Sequence, residues 1–490
     1  MKYDFDMLVI GGGAAGLTAA GMSAVLGAKT ALVEARKLGG DCTWYGCVPS
    51  KSLLRAAAVA HQMRTAGRFG LTPVNVEHDF GRVMDRVRSI QNHIYADADA
   101  PPNFERLGVE VIPGRARFLG PHAVEIDADG GTRMLTSRYV VVATGSSPRI
   151  PQFDTDGTVP ALTNETLFEL NRLPKRLLIL GAGPIGLEMA QAFHRLGSSV
   201  TVATHGSAIL GRDDGELTAT LLEHLQSEGI RFLFNAEVVA LQAGAARTAQ
   251  GERVETDVLL IALGRRPNLG SLRLEAAGVR TNERGIMVNR RCQSSMKHIY
   301  ACGDIAGRHL FTHMAEHMAK IAVTNAILHI PSKVDERHVT WTTFTDPELA
   351  HVGAGEAELQ RSRTAYSVYR FPFSHLDRAI TDSETTGLIK VLANRWGRIL
   401  GVSILGSRAG EMIGEYALAM RNGISLSRVS STIHPYPTYV LGNRRAADQF
   451  MMAKLTPGIV RWLRRLFGLH GDVRGATTLK EMALWSGRGR

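Results

Sequence analysis

DMLVIGGGAAGLTAAGMSAVLGAKTALVE, residues Asp6 to Glu34, reads as strand, turn, helix and strand. An apolar run enters a turn in which Gly11, Gly13 and Gly16 satisfy G-x-G-x-x-G, and Glu34 closes the second strand. Glycine allows the sharp bend and lets backbone approach a pyrophosphate. The first N–H groups of the helix meet that charge, and an acid at this remove accepts from ribose hydroxyls. The motif alone is weak, but with strand, helix and acid in place the stretch is a dinucleotide-binding βαβ unit.

The pattern recurs in RLLILGAGPIGLEMAQAFHRLGSSVTVAT, Arg176 to Thr204, with Gly181, Gly183 and Gly186 in the turn. Here Thr204 stands where the acid would be, followed by His205 and, nearby, Arg212. No carboxylate is present to hold a ribose diol or repel a 2′-phosphate, and the basic residues can receive one, which favours NADPH over NADH.

Two such units predict an α/β chain with two Rossmann-like dinucleotide-binding domains. VEVIPGRARF, HAVEID and YVVVATGSSPR read as strands completing the first domain, and Pro148 and Pro151 mark a crossing into the second. After ALGRRPN, Ala262 to Asn268, the stretch NRRCQSSMKHIYACGD returns to the first. The expected boundaries are 1–150 with 269–330, then 151–268. From about Pro331, strands with hairpin-like spacing and the helical AGEMIGEYALAMRNG form an α+β domain over 331–450, with a tail over 451–490.

Composition is that of a globular chain: 490 residues, 44% hydrophobic, 21% charged, with 51 glycines that the tight turns help to explain. The formal charge of +11 comes without an aromatic-studded basic motif, so nucleic acid is not expected, and a basic surface serving anionic small molecules is. The acidic start MKYDFD lacks a signal-peptide pattern and no long apolar run occurs, so a cytoplasmic, non-spanning protein is expected. Four cysteines, Cys42, Cys47, Cys292 and Cys302, point to a reducing compartment and not to a stapled secreted scaffold.

GGDCTWYGCVPSK, Gly39 to Lys51, holds the first two. Fully extended, the segment would separate Cys42 and Cys47 by roughly 17 Å, beyond the roughly 7 Å a disulfide allows, so it must coil, helped by Gly46. The spacing fits a structural zinc knuckle poorly, no second ligand pair follows, and no metal site is expected. Inert buried thiols and a redox-active disulfide remain, the second favoured.

These motifs closely resemble the flavin-dependent pyridine nucleotide-disulfide oxidoreductases, the group that includes dihydrolipoamide dehydrogenase, glutathione reductase and mercuric reductase. The likeness runs from about Asp6 to Phe450. It rests on GGDCTWYGCVPSK, ATG at Ala143 to Gly145, YACGD at Tyr300 to Asp304, and DPELAHVG at Asp346 to Gly353. The resemblance implies FAD in the first domain, NAD(P) in the second, dimerisation through the third, and a homodimer. NAD(P)H would reduce the Cys42–Cys47 disulfide by way of the flavin, with Cys47 as the thiolate beside the flavin, Cys42 as the exchanging thiol, and Lys51 and Glu188 as an ion pair beside the ring. The implied cofactor residues are Gly11, Gly13, Gly16, Glu34, Gly40, Lys51, Gly114, Ala116, Thr144, Gly145, Gly181, Gly183, Gly186, Thr204, His205, Gly264, Arg265, Asp304, Met314 and Ala315.

The pattern breaks near the C-terminus. Disulfide-reducing members carry a His before Pro-Thr and a Glu five residues later, whereas TIHPYPTYVLGN places Tyr436 and Leu441 there. Both members of that dyad are absent; His434, two residues earlier, is a partial substitute, and Tyr436 joins the catalytic candidates. The tyrosine resembles mercuric reductase, but the C-terminal cysteine pair of that enzyme is missing from LKEMALWSGRGR. The expected activity is mercuric reductase-like, with a disulfide, metal-ion or quinone acceptor; dihydrolipoamide dehydrogenase is the alternative, and a vestigial flavin-binding scaffold a third reading. In the tail, Ile459, Trp462, Leu463, Leu466 and Phe467 recur at helical spacing opposite Arg461, Arg464 and Arg465. Such a helix docks on its own protein or partner, or lies on an anionic membrane surface.

Overall fold

Strand β1, Phe5–Ile10, is buried at every position but Asp6, as a strand covered on both faces of a parallel sheet must be. This sheet belongs to a computed structural model that describes residues 2–77, 79–128 and 130–471. β1 pairs in parallel with β2, Thr30–Glu34, which pairs in parallel with β3, Val109–Pro113. β4, Arg115–Phe118, β5, Ala123–Ala128, and β6, Gly131–Val142, complete the order β3-β2-β1-β6-β5-β4, and strand Ile299–Ala301 lies parallel beside β6. Helix α1, Ala14–Val25, follows the first glycine turn. A Cβ on Gly16 would lie 1.7 Å from the Gly11 carbonyl oxygen, so helix and turn close only with glycine there.

A short helix and a long one come next, α2 over Gly40–Trp44 and α3 over Cys47–Arg64. The second sheet is parallel throughout: β7, Arg176–Leu180, β8, Ser199–Ala203, β9, Arg231–Leu233, and β10, Val258–Ile261, in the order β9-β8-β7-β10, with Ala161–Leu162 beyond β10. Helix α4, Pro184–Arg195, follows β7. Residues 146–148 and 265–267 pair as an antiparallel ribbon. Helix α5, Thr312–Ile327, packs on α1.

The described residues up to Thr65, with Pro73–His205 and Arg231–Asp335, form one compact unit; Ala66–Thr72, Gly206–Ile230 and those from Glu336 onward form a second. The second unit is built on an antiparallel sheet of β11, Thr340–Thr343, β12, Glu348–Gly353, β13, Ser367–Pro372, β14, Leu388–Ala393, and β15, Ile399–Gly406, in the order β11-β12-β15-β14-β13. Helix α6, Ala409–Arg421, packs on β12 and β15, and Phe373, Tyr416 and Phe450 fill the core.

Helix Gly215–Glu228, placed by the sequence boundaries in 151–268, belongs to this second unit. The cause is Lys390 on β14, whose 3%-exposed ammonium lies 2.8 Å from Asp214, 3.0 Å from Glu216 and 2.5 Å from Glu356. A buried cation must keep its carboxylates, and of these Asp214 caps that helix and Glu216 lies in its first turn.

Helix α7, Pro457–Phe467, forms as the tail's spacing predicts, with no residue buried and Trp462 and Phe467 60% and 66% exposed. Docking of this helix on its own chain is therefore not observed. The rest of the tail, 472–490, lies outside the described residues. No described helix is long and apolar enough to cross a membrane.

Candidate dithiol and dinucleotide site

The coil that the cysteine spacing demands is the break between α2 and α3. Cys42 sits within α2, and Cys47 is the first residue of α3, after Gly46. Side chains fix this break from several directions. Thr43 donates to Asp99 at 2.6 Å, Gln91 donates to the Trp44 carbonyl at 2.8 Å, and Asn164 donates to the Tyr45 carbonyl at 3.2 Å. The Trp44 indole donates to the Leu38 carbonyl at 2.8 Å, while the Lys37 ammonium lies over the Trp44 ring, 3.3 Å from its centroid.

Both cysteines are free thiols, Cys42 half-buried and Cys47 exposed, and they titrate in opposite senses. The hydrogen bond from Cys42, then that with Thr312 and the charge of Lys51, bring Cys47 down to about 6 against desolvation and the Glu188 carboxylate. The same hydrogen bond, with burial and the neighbouring thiolate, pushes Cys42 far up. Cys47 Sγ lies 3.5 Å from Thr312 Oγ1, and its place at the start of an 18-residue helix adds a favourable dipole. Lys51, one turn along, lies 2.8 Å from Glu188 on α4, whose side chain is 6% exposed.

The first turn supplies what a flavin dinucleotide needs. α1 begins at Gly13 without a side-chain cap, so its first N–H groups face outward. A Cβ on Gly40 would lie 2.7 Å from the Gly13 Cα, so the turn and the cysteine-bearing segment abut with no side chain between them. Glu34 accepts from the Gly12 N–H at 2.5 Å and from the Arg36 N–H at 2.7 Å, and carboxylate lone pairs remain for a ribose. Small residues meet where a Cβ on Gly303 would touch Ala315 at 3.1 Å and Ala15 at 3.6 Å. Asp304 accepts from Ser146 at 2.6 Å, and burial raises its pKa. An uncapped helix start, a ribose acid and a half-buried acid beside small residues form a donor set that fits FAD.

The remaining candidates fall around this centre with some differences. Gly114 donates its N–H to the Glu34 carbonyl at 2.9 Å, and Thr144 exchanges hydrogen bonds with Asn268, Asn268 Nδ2 donating at 2.9 Å. Gly145, just past the end of β6, has φ +66°. The Ala116 side chain faces the core, leaving only its backbone for a ligand. Met314 and Ala315 lie buried in the first turn of α5.

Arg265, expected at a nucleotide, has a 10%-exposed side chain whose guanidinium donates to Ser146 at 2.7 Å and to Asp41 at 2.9 Å, with Asp304 at 3.7 Å. The ribbon of residues 146–148 and 265–267 turns it toward those acids. Sequence reasoning missed Asp41, beside Cys42, as its partner; the 224 positions between them leave no local signal.

The second turn repeats the first in backbone. Gly181 has φ +108°, Gly183 has open space around it, and α4 starts without a side-chain cap. Thr204 follows β8 with its N–H bonded to the Leu233 carbonyl, His205 is exposed, and Gly264 at φ +96° has open space.

The sequence held both members of the proton-carrying dyad to be absent, yet the structure assembles an imidazole–carboxylate pair from other positions. His434 Nε2 lies 2.8 Å from Glu415 Oε1, the imidazole side chain is 5% exposed, and its Nδ1 faces the Thr432 carbonyl at 3.0 Å. Asn443 donates to the second Glu415 oxygen at 2.8 Å. Glu415 lies on α6, 19 residues upstream of His434, and no motif spacing marks it. Tyr436 is 68% exposed, its phenol pKa raised by Asp377.

Comparison with known proteins agrees with this geometry. Residues 5–319 match the model of the pyridine nucleotide-disulphide oxidoreductases, and 339–444 match their dimerisation domain. A mercuric reductase of Lysinibacillus sphaericus is 34% identical over 91% of this chain and 83% of its own. A dihydrolipoyl dehydrogenase of Bacillus subtilis is 32% identical over 89% and 96%. Among solved structures, LpdA from Mycobacterium tuberculosis superimposes with a TM-score of 0.84 at 28% identity, over 91% of this chain and 99% of that one. The HOCl-induced flavoprotein disulfide reductase RclA from Escherichia coli does so with 0.81 at 27%, over 92% and 100%. The chain belongs to the FAD-dependent pyridine nucleotide-disulphide oxidoreductases.

Proposed function

We propose that this chain is an NAD(P)H-driven reductase, mercuric reductase-like, that delivers electrons through Cys42 and Cys47 to an acceptor able to bond sulfur. The opposed titration of the two thiols carries the reading. Bound FAD supplies the two-electron link between nicotinamide and sulfur. Cys47 waits as the thiolate, held by Thr312 and Lys51, while Cys42 keeps the proton and is the sulfur that meets the acceptor. Toward a disulfide, Cys42 must first lose that proton; its sulfur then attacks one acceptor sulfur, breaking the acceptor S–S bond and releasing the other sulfur as a thiolate that takes up a proton. Cys47 then attacks Cys42 to close Cys42–Cys47 and release the second thiolate, which is protonated in turn.

Dihydrolipoamide dehydrogenase activity is the second reading, favoured by the His434–Glu415 pair. A carboxylate behind an imidazole fixes its tautomer and supports its charge, as proton transfer to and from a thiol requires. The pair serves the thiol across a homodimer, the assembly that the dimerisation domain supports. NADPH is the preferred donor because Thr204 replaces the ribose acid. The protein is cytoplasmic, with contact at an anionic membrane surface resting on the exposed apolar residues of α7 alone. Loss of vesicle co-sedimentation on deletion after Pro457 would support that contact.

Anaerobic titration of the flavin-loaded enzyme with NADPH and NADH tests the relay, and the expected result is a thiolate-to-flavin charge-transfer band. Its absence refutes the relay. Turnover with Hg(II), lipoamide, glutathione disulfide and a soluble quinone then separates the acceptors. H434Q is expected to slow lipoamide turnover by about 100-fold with reduction by NADPH unchanged.

A further inference from the structure

The parallel part of β6 has two ends, and the dinucleotide turn occupies one. Thr144 and Gly145 follow the carboxyl end; Arg138 and Tyr139 lie at the entry end, about 17 Å away along the strand. At that entry end is a cleft of about 390 Å³, lined by His122, Arg138, Tyr139, Lys297, His298 and His329 among others. Small-molecule sites span roughly 300–1,000 Å³. Parallel α/β sheets bind nucleotides at the carboxyl ends of their strands, so this cleft is separate from the flavin site.

We infer that this cleft is a second ligand site, built for a small phosphorylated anion. Its chemistry is one-sided: the lining carries a guanidinium, an ammonium and three imidazoles, and no carboxylate. The Arg138 and Lys297 charges repel each other until an anion enters, and an arginine fork with a lysine suits the several oxygens of a phosphoryl group.

The walls are held in place before any ligand arrives. The His122 and His298 rings stack with centroids 3.9 Å apart. His122 Nδ1 faces the Ser137 carbonyl at 2.8 Å, and His298 Nε2 faces the Pro121 carbonyl at 2.7 Å, so each of these nitrogens carries its hydrogen. The Arg138 guanidinium lies 5.2 Å from the centroid of the Tyr139 ring, over its face. Face-to-face imidazoles anchored on backbone do not converge on a metal, and no group of three or more His, Cys, Asp or Glu side chains able to hold one forms among the described residues.

The test is calorimetric titration of the FAD-loaded enzyme with pyrophosphate, at saturating NADP⁺ so that the second glycine turn is filled. Wild type is expected to bind one pyrophosphate per chain, and R138Q/K297Q to bind it at least about tenfold more weakly with NADPH-dependent turnover unchanged. H329A, at an exposed position, gives a weaker loss in the same direction and serves if the double variant fails to retain its flavin. No binding to wild type, or equal binding to wild type and variants, overturns the site. Citrate binding as tightly as pyrophosphate overturns the phosphoryl assignment.

Discussion

In the first glycine turn a Cβ on Gly11 would meet the Ala143 carbonyl oxygen at 2.4 Å; in the second, one on Gly181 would meet that of Ala262 at the same 2.4 Å. The third glycines repeat the likeness, Gly16 at 1.7 Å from the Gly11 oxygen and Gly186 at 2.0 Å from that of Gly181. The side chains part company. Glu34 reaches back to the Gly12 N–H, and a Cβ on Gly12 would strike Leu38 at 2.3 Å, whereas the second turn has Ala182 and Thr204 at those places. Backbone sterics shape the two turns alike, and the side chain at the end of the following strand is where they differ, Glu34 in one and Thr204 in the other. The first turn abuts the cysteine-bearing segment directly, through Gly13 and Gly40, whereas the helix after the second turn meets it through the Lys51–Glu188 pair.

The largest test of this comparison applies one lesion to both turns. G16V should abolish flavin retention, seen as a colourless purified protein, because nothing at 1.7 Å can yield without moving backbone. G186V should keep the flavin spectrum and lose reduction by NAD(P)H. If both variants lose flavin, the turns are not independent. Next in size, T204E should move preference from NADPH toward NADH by about tenfold in kcat/KM, because a carboxylate there would hold a ribose diol and repel a 2′-phosphate. An unchanged ratio would break the assignment of Thr204.

A pH profile sharpens the link between the first turn and the thiols. Cys47 has its pKa depressed to about 6, so it is protonated below that value and thiolate above it. Iodoacetamide labelling of the dithiol enzyme should rise as pH climbs through about 6 and then level off, with Cys42 slow throughout. G186A should leave that midpoint in place; a midpoint near the ordinary thiol range would break the reading of Cys47. The smallest effect contrasts G12A with A182G. The first should cost about 1–3 kcal/mol in thermal unfolding and be partly relieved by L38A, the second about 1 kcal/mol or less.

Much of the site was legible because its parts are local. Gly11 to Glu34 and Gly181 to Thr204 each lie within one βαβ unit, where spacing alone dictates turn, helix start and strand end. Cys42 and Cys47 announced a coiled segment for the same reason. The pairings between distant elements were not legible. Glu415 meets His434 where α6 packs against the helix Leu441–Lys454 through Asn443, and no motif spacing pairs that carboxylate with the imidazole. Arg265 follows the second sheet in sequence, and its side chain meets Asp41 and Ser146, partners that no local spacing marks.

From the amino-acid order alone came the two dinucleotide turns, the dithiol and the return of the chain to the first sheet, since glycine sterics and hydrophobic period act over a few residues. Tertiary structure decided which cysteine holds the charge, which carboxylate stands behind His434, where Arg265 points and that Lys390 binds the helix at Gly215 to the second unit. Each of these depends on charges and donors brought within about 3 Å by packing, and that distance is set by elements far apart in the chain.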